Sequence, residues 1–262
     1  MEGVFQIVTK YKGPEITGPF LFFKTIKIKI DINEIHNILC IMQLLVNEIF
    51  YSIQGETRTA GLTSLFIRLS GCNLNCRYCD TQYARDTGIT CSIKKILTIA
   101  EKQKPFNHVT ITGGEPLIQN NTQVLIDKLI ENDYDVQIET NGSIFLKNIN
   151  PKARKIADVK TPSSGESDSF YMENLKYLNE KDELKFVVSD MDDCNFLLNF
   201  IKENIDNIKA FINISPVAGK FTPEELSLFI IKNKLNARLN LQIHKLIWSN
   251  VPENKIAGNL LK

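Results

Sequence analysis

Along most of this chain, short runs of β-branched and apolar residues alternate with longer amphipathic stretches. From residue 45 onward the pattern predicts strands at Ser64–Leu69, His108–Thr112, Asp135–Glu139, Ile156–Lys160, Glu183–Val188, Ala210–Ile214 and Leu239–Ile243. Between them it predicts helices over Ser92–Gln103, Gln119–Asn132, Phe170–Leu178, Asp192–Glu203 and Thr222–Asn233. Thr222-Pro223-Glu224-Glu225 supplies an N-cap hydroxyl, a proline at the first helical position and an acidic first turn. Strand–helix alternation of this kind implies an α/β fold of parallel strands joined by right-handed crossovers. Polar and glycine-rich segments fall mainly after the strands: Cys72–Asp80, Gly113-Gly114-Glu115-Pro116, Thr140-Asn141-Gly142, Thr161–Gly165 and Ser215-Pro216. Parallel α/β proteins gather their functional groups at those strand ends.

Residues 1–41 break the pattern. Lys24–Ile30 alternates lysine with branched apolar residues and reads as an edge strand or hairpin arm, and Gly13-Pro14 and Gly18-Pro19 before it are turn signals. Two expectations are open: a translated upstream segment or dispensable extension ahead of Met42, leaving one domain over 42–262, or an accessory hairpin. The segment lacks the continuous apolar core and small-residue cleavage site of a signal peptide. No run in the chain approaches the roughly 20 apolar residues of a spanning helix.

Composition narrows the class. The 262 residues suffice for one α/β domain, and 43% hydrophobic with 23% charged residues is ordinary globular usage. A formal net charge of +1 gives no general field toward nucleic acid or an anionic membrane, so neither is expected as a direct partner. Of six cysteines, Cys72, Cys76 and Cys79 crowd one loop, whereas Cys40, Cys91 and Cys194 are scattered. This suits a reducing, cytoplasmic location and a metal centre better than a disulfide framework. Cys40 and Cys194 read as small buried hydrophobes, and Cys91 as the remaining candidate for a fourth ligand.

The spacing C-x3-C-x2-C directly follows the strand Ser64–Leu69. Structural zinc takes four protein ligands, whereas an iron–sulfur cube held by three cysteines keeps one iron open. Three clustered thiols therefore favour a working cluster over a structural ion. Thr112-Gly113-Gly114-Glu115-Pro116 ends the next strand, its glycines allowing close approach of backbone to a ligand. Gln54-Gly55-Glu56 precedes the first strand and is either an ordinary turn or a loop reading a polar heterocycle. Arg68 interrupts an apolar strand, where its guanidinium needs a carboxylate, from a neighbouring side chain or from a ligand.

C-x3-C-x2-C followed by Gly-Gly-Glu-Pro resembles the signature of the radical S-adenosylmethionine superfamily, and the flanking residues resemble the 7-carboxy-7-deazaguanine synthase family over roughly residues 42–248. The resemblance implies an open, partial (β/α) barrel. It implies a [4Fe-4S] cluster on Cys72, Cys76 and Cys79, S-adenosylmethionine on the open iron, and Mg2+ on Thr81. It further implies cofactor contacts from Tyr78, Cys79, Asp80, Gly114, Glu115, Thr140, Asn141, Ser163 and Lys185. Implied substrate contacts are Ile53, Gln54, Gly55, Arg68, Thr112 and His244. Periodicity does not decide which face Lys185 takes. The implied reaction contracts 6-carboxy-5,6,7,8-tetrahydropterin to 7-carboxy-7-deazaguanine with loss of ammonia, in queuosine and 7-deazapurine biosynthesis, with S-adenosylmethionine recycled. A flavodoxin- or ferredoxin-type electron donor and a homodimer are implied as partners. The rival readings are a glycyl-radical activating enzyme, which leaves Gln54–Glu56, Arg68 and Thr81 unexplained together, and a non-catalytic metal-binding module.

Overall fold

The protein is described as a computed structural model covering residues 4–7, 26–29, 39, 41–248 and 258–261. Near the N terminus β1 (Val4–Ile7) pairs antiparallel with β2 (Ile26–Lys29), giving the expected arm within Lys24–Ile30 a partner. Cys40 lies outside the described residues.

The main sheet contains β3 (Gln43–Ile53), β4 (Thr63–Leu69), β5 (Ile89–Ser92), β6 (His108–Gly113), β7 (Asp135–Thr140), β8 (Arg154–Val159), β9 (Glu183–Val188), β10 (Phe211–Pro216) and β11 (Arg238–Leu239). Their spatial order is β11-β10-β9-β8-β7-β6-β4-β3-β5. From β4 to β11 every pairing is parallel, whereas β3 runs antiparallel to both β4 and β5. Parallel strands in chain order, in a sheet whose edge strands β11 and β5 do not pair with each other among the described residues, form an open, partial barrel.

Each parallel strand has an apolar face and a polar face. Leu65, Ile67 and Leu69 of β4, Val109 and Ile111 of β6, Val136 and Ile138 of β7, Ala157 and Val159 of β8, and Leu184, Phe186 and Val188 of β9 join one core. Buried side chains of α1 (Ile93–Glu101), α2 (Thr122–Glu131), α3 (Met191–Asn204) and α4 (Pro223–Lys232) complete that core from outside the barrel. The intervening residues, including Arg68, Thr112, Glu139, Asp158 and Lys185, consequently face the lumen. The parity settles the orientation of Lys185.

Strand β3 follows the same rule only because it is bulged. Leu44 and Val46 belong to the helix-facing core, and so does Ile49, while Phe50 and Ser52 line the lumen. The register jumps between Val46 and Glu48, so that Val46 opposes Leu69 while Glu48 opposes Arg68. One inserted residue, Asn47, moves Glu48, Phe50 and Ser52 from the core face to the lumen face.

The helix starts expected at Ser92 and Thr222 hold, whereas the helix expected from Gln119 begins at Thr122. Ser92 caps α1 by accepting from the Lys95 N–H, and Thr222 forms a capping box with Glu225 ahead of α4. Two expectations need correction. Phe170–Leu178 is not an α-helix but holds a 3-10 helix over Met172–Tyr177. There the fully buried Asn174 amide donates to the carbonyls of Gly142 and Ile144, at 2.8 and 2.9 Å, and so anchors the segment irregularly to the preceding loop. The expected strand Leu239–Ile243 ends at Leu239, because Asn240 turns to donate to Ser215 Oγ and the Ile243 N–H donates to Gly55 O. Ile243 instead opens the short helix α5 (Ile243–Ile247). Cys91, on β5, is buried in the core and cannot be a fourth ligand at the Cys72–Cys79 loop; Cys194 is buried as expected. Among the described residues no helix is long and apolar enough to cross a membrane.

At the N-terminal ends of β8 and β9, Asp182 is fully buried. It accepts from the backbone N–H groups of Lys155 (2.8 Å) and Asn179 (3.0 Å) and pairs with the buried Lys155 ammonium at 2.9 Å. Asp182→Ala strands that ammonium without its counter-charge, and a loss of about 3–5 kcal/mol in urea unfolding is the expected result.

Candidate active site

The cysteine loop leaves β4 at its C-terminal end and is held there by the Gly-Gly-Glu segment of the next strand. Glu115 N–H donates to Gly71 O at 2.8 Å and Gly114 N–H to Leu69 O at 3.2 Å. A side chain on Gly114 would collide with Gly71 O and with Cys72 Cβ, and one on Gly113, whose φ is +156°, would collide with Leu69 O. The two glycines therefore admit the backbone of the cysteine loop itself. Fully buried Glu115 accepts from Leu117 N–H at 3.0 Å, Thr140 Oγ1 at 2.9 Å and Asn141 N–H at 2.6 Å. Asn141 in turn donates to Asn73 Oδ1 at 3.1 Å, joining the loop after β7 to the cysteine loop. Further along, Asn75 N–H donates to Glu166 Oε1 at 2.7 Å and Arg77 N–H to Ser164 O at 2.9 Å. Three successive loops thus grip one short segment.

Cys72, Cys76 and Cys79 are free thiols, partly exposed, and all three line one cavity of about 260 Å³. Burial pushes the Cys76 thiol up, against the opposing pull of the Lys160 ammonium. Among the described residues no three His, Cys, Asp or Glu side chains are drawn together as around a single metal ion. Three free thiols on one loop facing one cavity fit a four-iron cube that takes a thiolate on each of three irons and keeps the fourth open. Tyr78, between the last two cysteines, donates to Val187 O at 3.2 Å and lies 3.1 Å from Thr161 Oγ1, and burial pushes its phenol up to about 12. Thr81 Oγ1 lies 3.7 Å from Cys79 Sγ on the same wall.

The opposite end of the cavity is built from the other end of the barrel. The segment Gln54–Leu62 joins antiparallel β3 to β4 at the N-terminal end of the parallel strands and folds into the lumen as a floor. Thr59 Oγ1 donates to Gln137 Oε1 at 2.8 Å, and Arg58 N–H donates to both oxygens of buried Glu183 at 3.0 and 3.1 Å. Gln54 then reaches up to donate to Glu139 Oε1 at 3.1 Å, while Thr112 Oγ1 donates to Glu139 Oε2 at 3.1 Å. Gly55 touches the His244 ring so closely that a side chain there has no room. Gln242 donates to Glu56 Oε1 at 2.5 Å, so α5 and the residues before it cover this end of the cavity.

Charge in the lumen comes in pairs. Glu56 pairs with Lys185, Asp158 with Lys160 at 3.0 Å, and Glu48 with Arg68 Nε at 2.8 Å. Burial alone would raise the Glu56 pKa, but Lys185 and then Gln242 bring it down to about 2. Burial raises Glu139, against the pull of Lys185.

Of the residues expected to bind cofactor, the structure brings Tyr78, Cys79, Asp80, Gly114, Thr140, Asn141 and Lys185 to the cavity wall. Glu115 and Ser163 do not line it. Glu115 is spent on backbone and threonine donors, and Ser163 Oγ donates to Asp190 at 2.8 Å away from the cavity. Lys185 lies against the floor beside Glu56, and Lys160 is the ammonium next to Cys76. Every expected substrate contact (Ile53, Gln54, Gly55, Arg68, Thr112 and His244) reaches the same wall. Glu56, Glu139, Asp158 and Lys160 also line it; the sequence reading named Glu56 and Lys160 only as members of their loops and passed over Glu139 and Asp158, which strand parity relative to Val136, Ile138, Ala157 and Val159 would have found.

Because Glu56 is held well below its ordinary 4.5, its ion pair supports the fold above that value and the support drains away as pH falls toward about 2. Glu56→Gln is expected to lower stability by on the order of 3 kcal/mol at neutral pH. The gap from wild type should close between pH 4.5 and about 2, as measured by urea unfolding across that window.

Residues 66–187 match the model of the radical SAM superfamily. A 7-carboxy-7-deazaguanine synthase of Koribacter versatilis is 38% identical over 224 residues, covering 80% of this chain and 98% of that protein. One from Clostridium acetobutylicum is 41% identical over 215 residues, covering 79% and 97%. The crystal structure of QueE from Escherichia coli superimposes with a TM-score of 0.65 at 26% identity, covering 76% of this chain and 94% of that one. On fold, cysteine loop and kinship together, the chain belongs to the 7-carboxy-7-deazaguanine synthase family of radical SAM proteins.

Proposed function

We propose that this protein contracts 6-carboxy-5,6,7,8-tetrahydropterin to 7-carboxy-7-deazaguanine, releasing ammonia, in 7-deazapurine biosynthesis. One observation carries the reading: a single cavity runs from three free thiols at the strand C-termini to a floor of paired polar groups that suits a flat, hydrogen-bonding heterocycle.

Cys72, Cys76 and Cys79 would hold a [4Fe-4S] cluster, with S-adenosylmethionine beside it. When bound, these groups supply one-electron cleavage of a sulfur–carbon bond and, through it, hydrogen abstraction from the substrate. The residues of the chain hold and orient. Lys160 and Asp158 offer complementary charges to an amino-acid zwitterion near Cys76, and Gly114, Thr140 and Asn141 form the wall beside them. Asp80 and Tyr78 complete that end. Thr81 would offer a hard oxygen to Mg2+.

On the β4 wall, between the floor and the cysteine loop, Arg68 meets the substrate's carboxylate, and its guanidinium allows a bidentate grip. Gln54, Thr112 and His244 address the edge of the heterocycle, with the Ile53–Gly55 backbone beneath. The parallel rings of Phe50 and Phe66, with centroids 5.0 Å apart, give a flat apolar wall. Glu139, whose carboxyl burial favours in the neutral form, can hold a proton at its Oε atoms next to a ring nitrogen. The reading carries with it a flavodoxin- or ferredoxin-type electron donor and a homodimer.

Anaerobic turnover with the tetrahydropterin, reductant and S-adenosylmethionine tests the reading. A deazaguanine chromophore is expected, and no product from protein with an intact cluster removes it. Cys76→Ala should abolish both iron retention and turnover, since two thiolates do not hold the cube. Thr81→Ala should keep the iron and lose the stimulation by Mg2+; stimulation equal to wild type removes the ligand role.

A further inference from the structure

Glu48 carries no motif, and it sits on a strand that the hydrophobic pattern does not announce. It is nevertheless the residue that the β3 bulge turns into the lumen, directly opposite Arg68 in the strand register. Its carboxylate is almost fully buried, and one oxygen, Oε1, serves two donors: Arg68 Nε at 2.8 Å and Tyr83 Oη at 2.9 Å. Tyr83 lies in the 3-10 turn Gln82–Ala84, directly after Thr81. Its ring also packs on the Arg68 guanidinium, 5.9 Å from the centroid, with the Phe50 ring at 5.7 Å. The guanidinium is therefore fixed through Nε and through two aromatic rings, while its side chain still lines the cavity. The neighbouring bulge residue Asn47 steadies the same turn, donating through Nδ2 to Thr87 O at 2.8 Å and to Thr87 Oγ1 at 2.9 Å; Thr87 Oγ1 in turn donates to Tyr83 O at 2.7 Å.

We propose that Glu48 and Tyr83 are positioning residues for Arg68, fixing which edge of its guanidinium meets the substrate's carboxylate. The inference rests on Arg68 being the carboxylate-binding group of the proposed reaction. An arginine guanidinium has two edges on which a carboxylate can sit through paired N–H groups, one made by Nε with a terminal nitrogen and one by the two terminal nitrogens. With Nε engaged by Glu48, the edge made by the two terminal nitrogens is the one presented to a ligand. Burial alone would lower the guanidinium's pKa, yet Tyr83 and Glu48 hold it raised, so the group stays a cation while its neighbours restrict its geometry. Glu48 also compensates the charge of Arg68, which shifts recognition of the carboxylate from bulk attraction toward directed hydrogen bonds. Tyr83 links this device to the segment that follows the cysteines, so that the carboxylate site and the Thr81 turn are set by one carboxylate oxygen.

The test compares binding of 7-carboxy-7-deazaguanine with that of 7-deazaguanine, which lacks the carboxylate, to the cluster-loaded protein by calorimetry. Their affinity ratio reads carboxylate recognition without turnover. Arg68→Ala should collapse the ratio. Glu48→Ala and Tyr83→Phe should each lower it, by roughly ten- to hundredfold for the carboxylate, while leaving the affinity for 7-deazaguanine as in wild type. Glu48→Gln keeps an acceptor for Nε and should recover most of the ratio. In turnover the same losses should appear in KM and spare kcat. If Arg68→Ala collapses the ratio but Tyr83→Phe and Glu48→Ala leave it at the wild-type value, the positioning proposal is overturned and the carboxylate role of Arg68 stands. If Arg68→Ala leaves the ratio unchanged, that role falls and the proposal with it. A Glu48→Gln ratio as low as that of Arg68→Ala shows that charge rather than geometry is at work and also overturns it. Should Glu48→Ala not fold, Tyr83→Phe and Glu48→Gln decide the matter.

Discussion

A barrel whose helix-facing side is apolar and whose lumen is charged can stand only if the lumen charges answer one another. Glu56 with Lys185 and Asp158 with Lys160 meet that requirement within one cavity, and Glu48, behind the cavity wall, meets it for Arg68. An unpartnered charge in such a space costs several kcal/mol, so each pair holds its members in place before any ligand arrives. The same side chains are the ones available to a polar heterocycle and an amino-acid cofactor. Rigidity and recognition are here a single arrangement, which is the preorganisation that lowers the cost of binding.

Much of this was legible in the sequence. Strands and most helices follow from period-2 and helical patterning, and the cysteine and Gly-Gly-Glu segments are adjacent in space because β4 and β6 pair in parallel. What escaped has physical reasons. Strand β3 escaped because the bulge at Asn47 breaks the alternation on which recognition of a strand depends, and its two halves present opposite parities. Helix α5 escaped because a tertiary bond from Ile243 N–H to Gly55 O, not local propensity, decides where the chain turns. Lys160 and Lys185 are each a lysine at a strand end; only the partners Asp158 and Glu56 assign one to the cysteine loop and the other to the floor.

The Gly-Gly-Glu segment shows how a motif that marks a ligand site can work one step removed from it. Its glycines make room for Gly71 and Cys72, and its glutamate holds Thr140 and Asn141, which reach the cavity in its place. Arg68 shows the converse. The bland reading of a neighbouring carboxylate and the functional reading of a ligand carboxylate were posed as alternatives, yet Glu48 occupies Nε while the side chain still lines the cavity.

The floor is sealed by contacts between Gln54–Glu56 and Gln242–His244, and the hydrogen bond between Gln242 and Glu56 spans 186 residues of sequence. On a ribosome the cysteine loop is therefore translated long before the far wall of its cavity exists. Until the last strand and α5 have emerged, a nascent chain carries its three thiols beside an unfinished pocket. Completion of the pocket therefore waits for α5 to emerge and for His244 to arrive against Gly55.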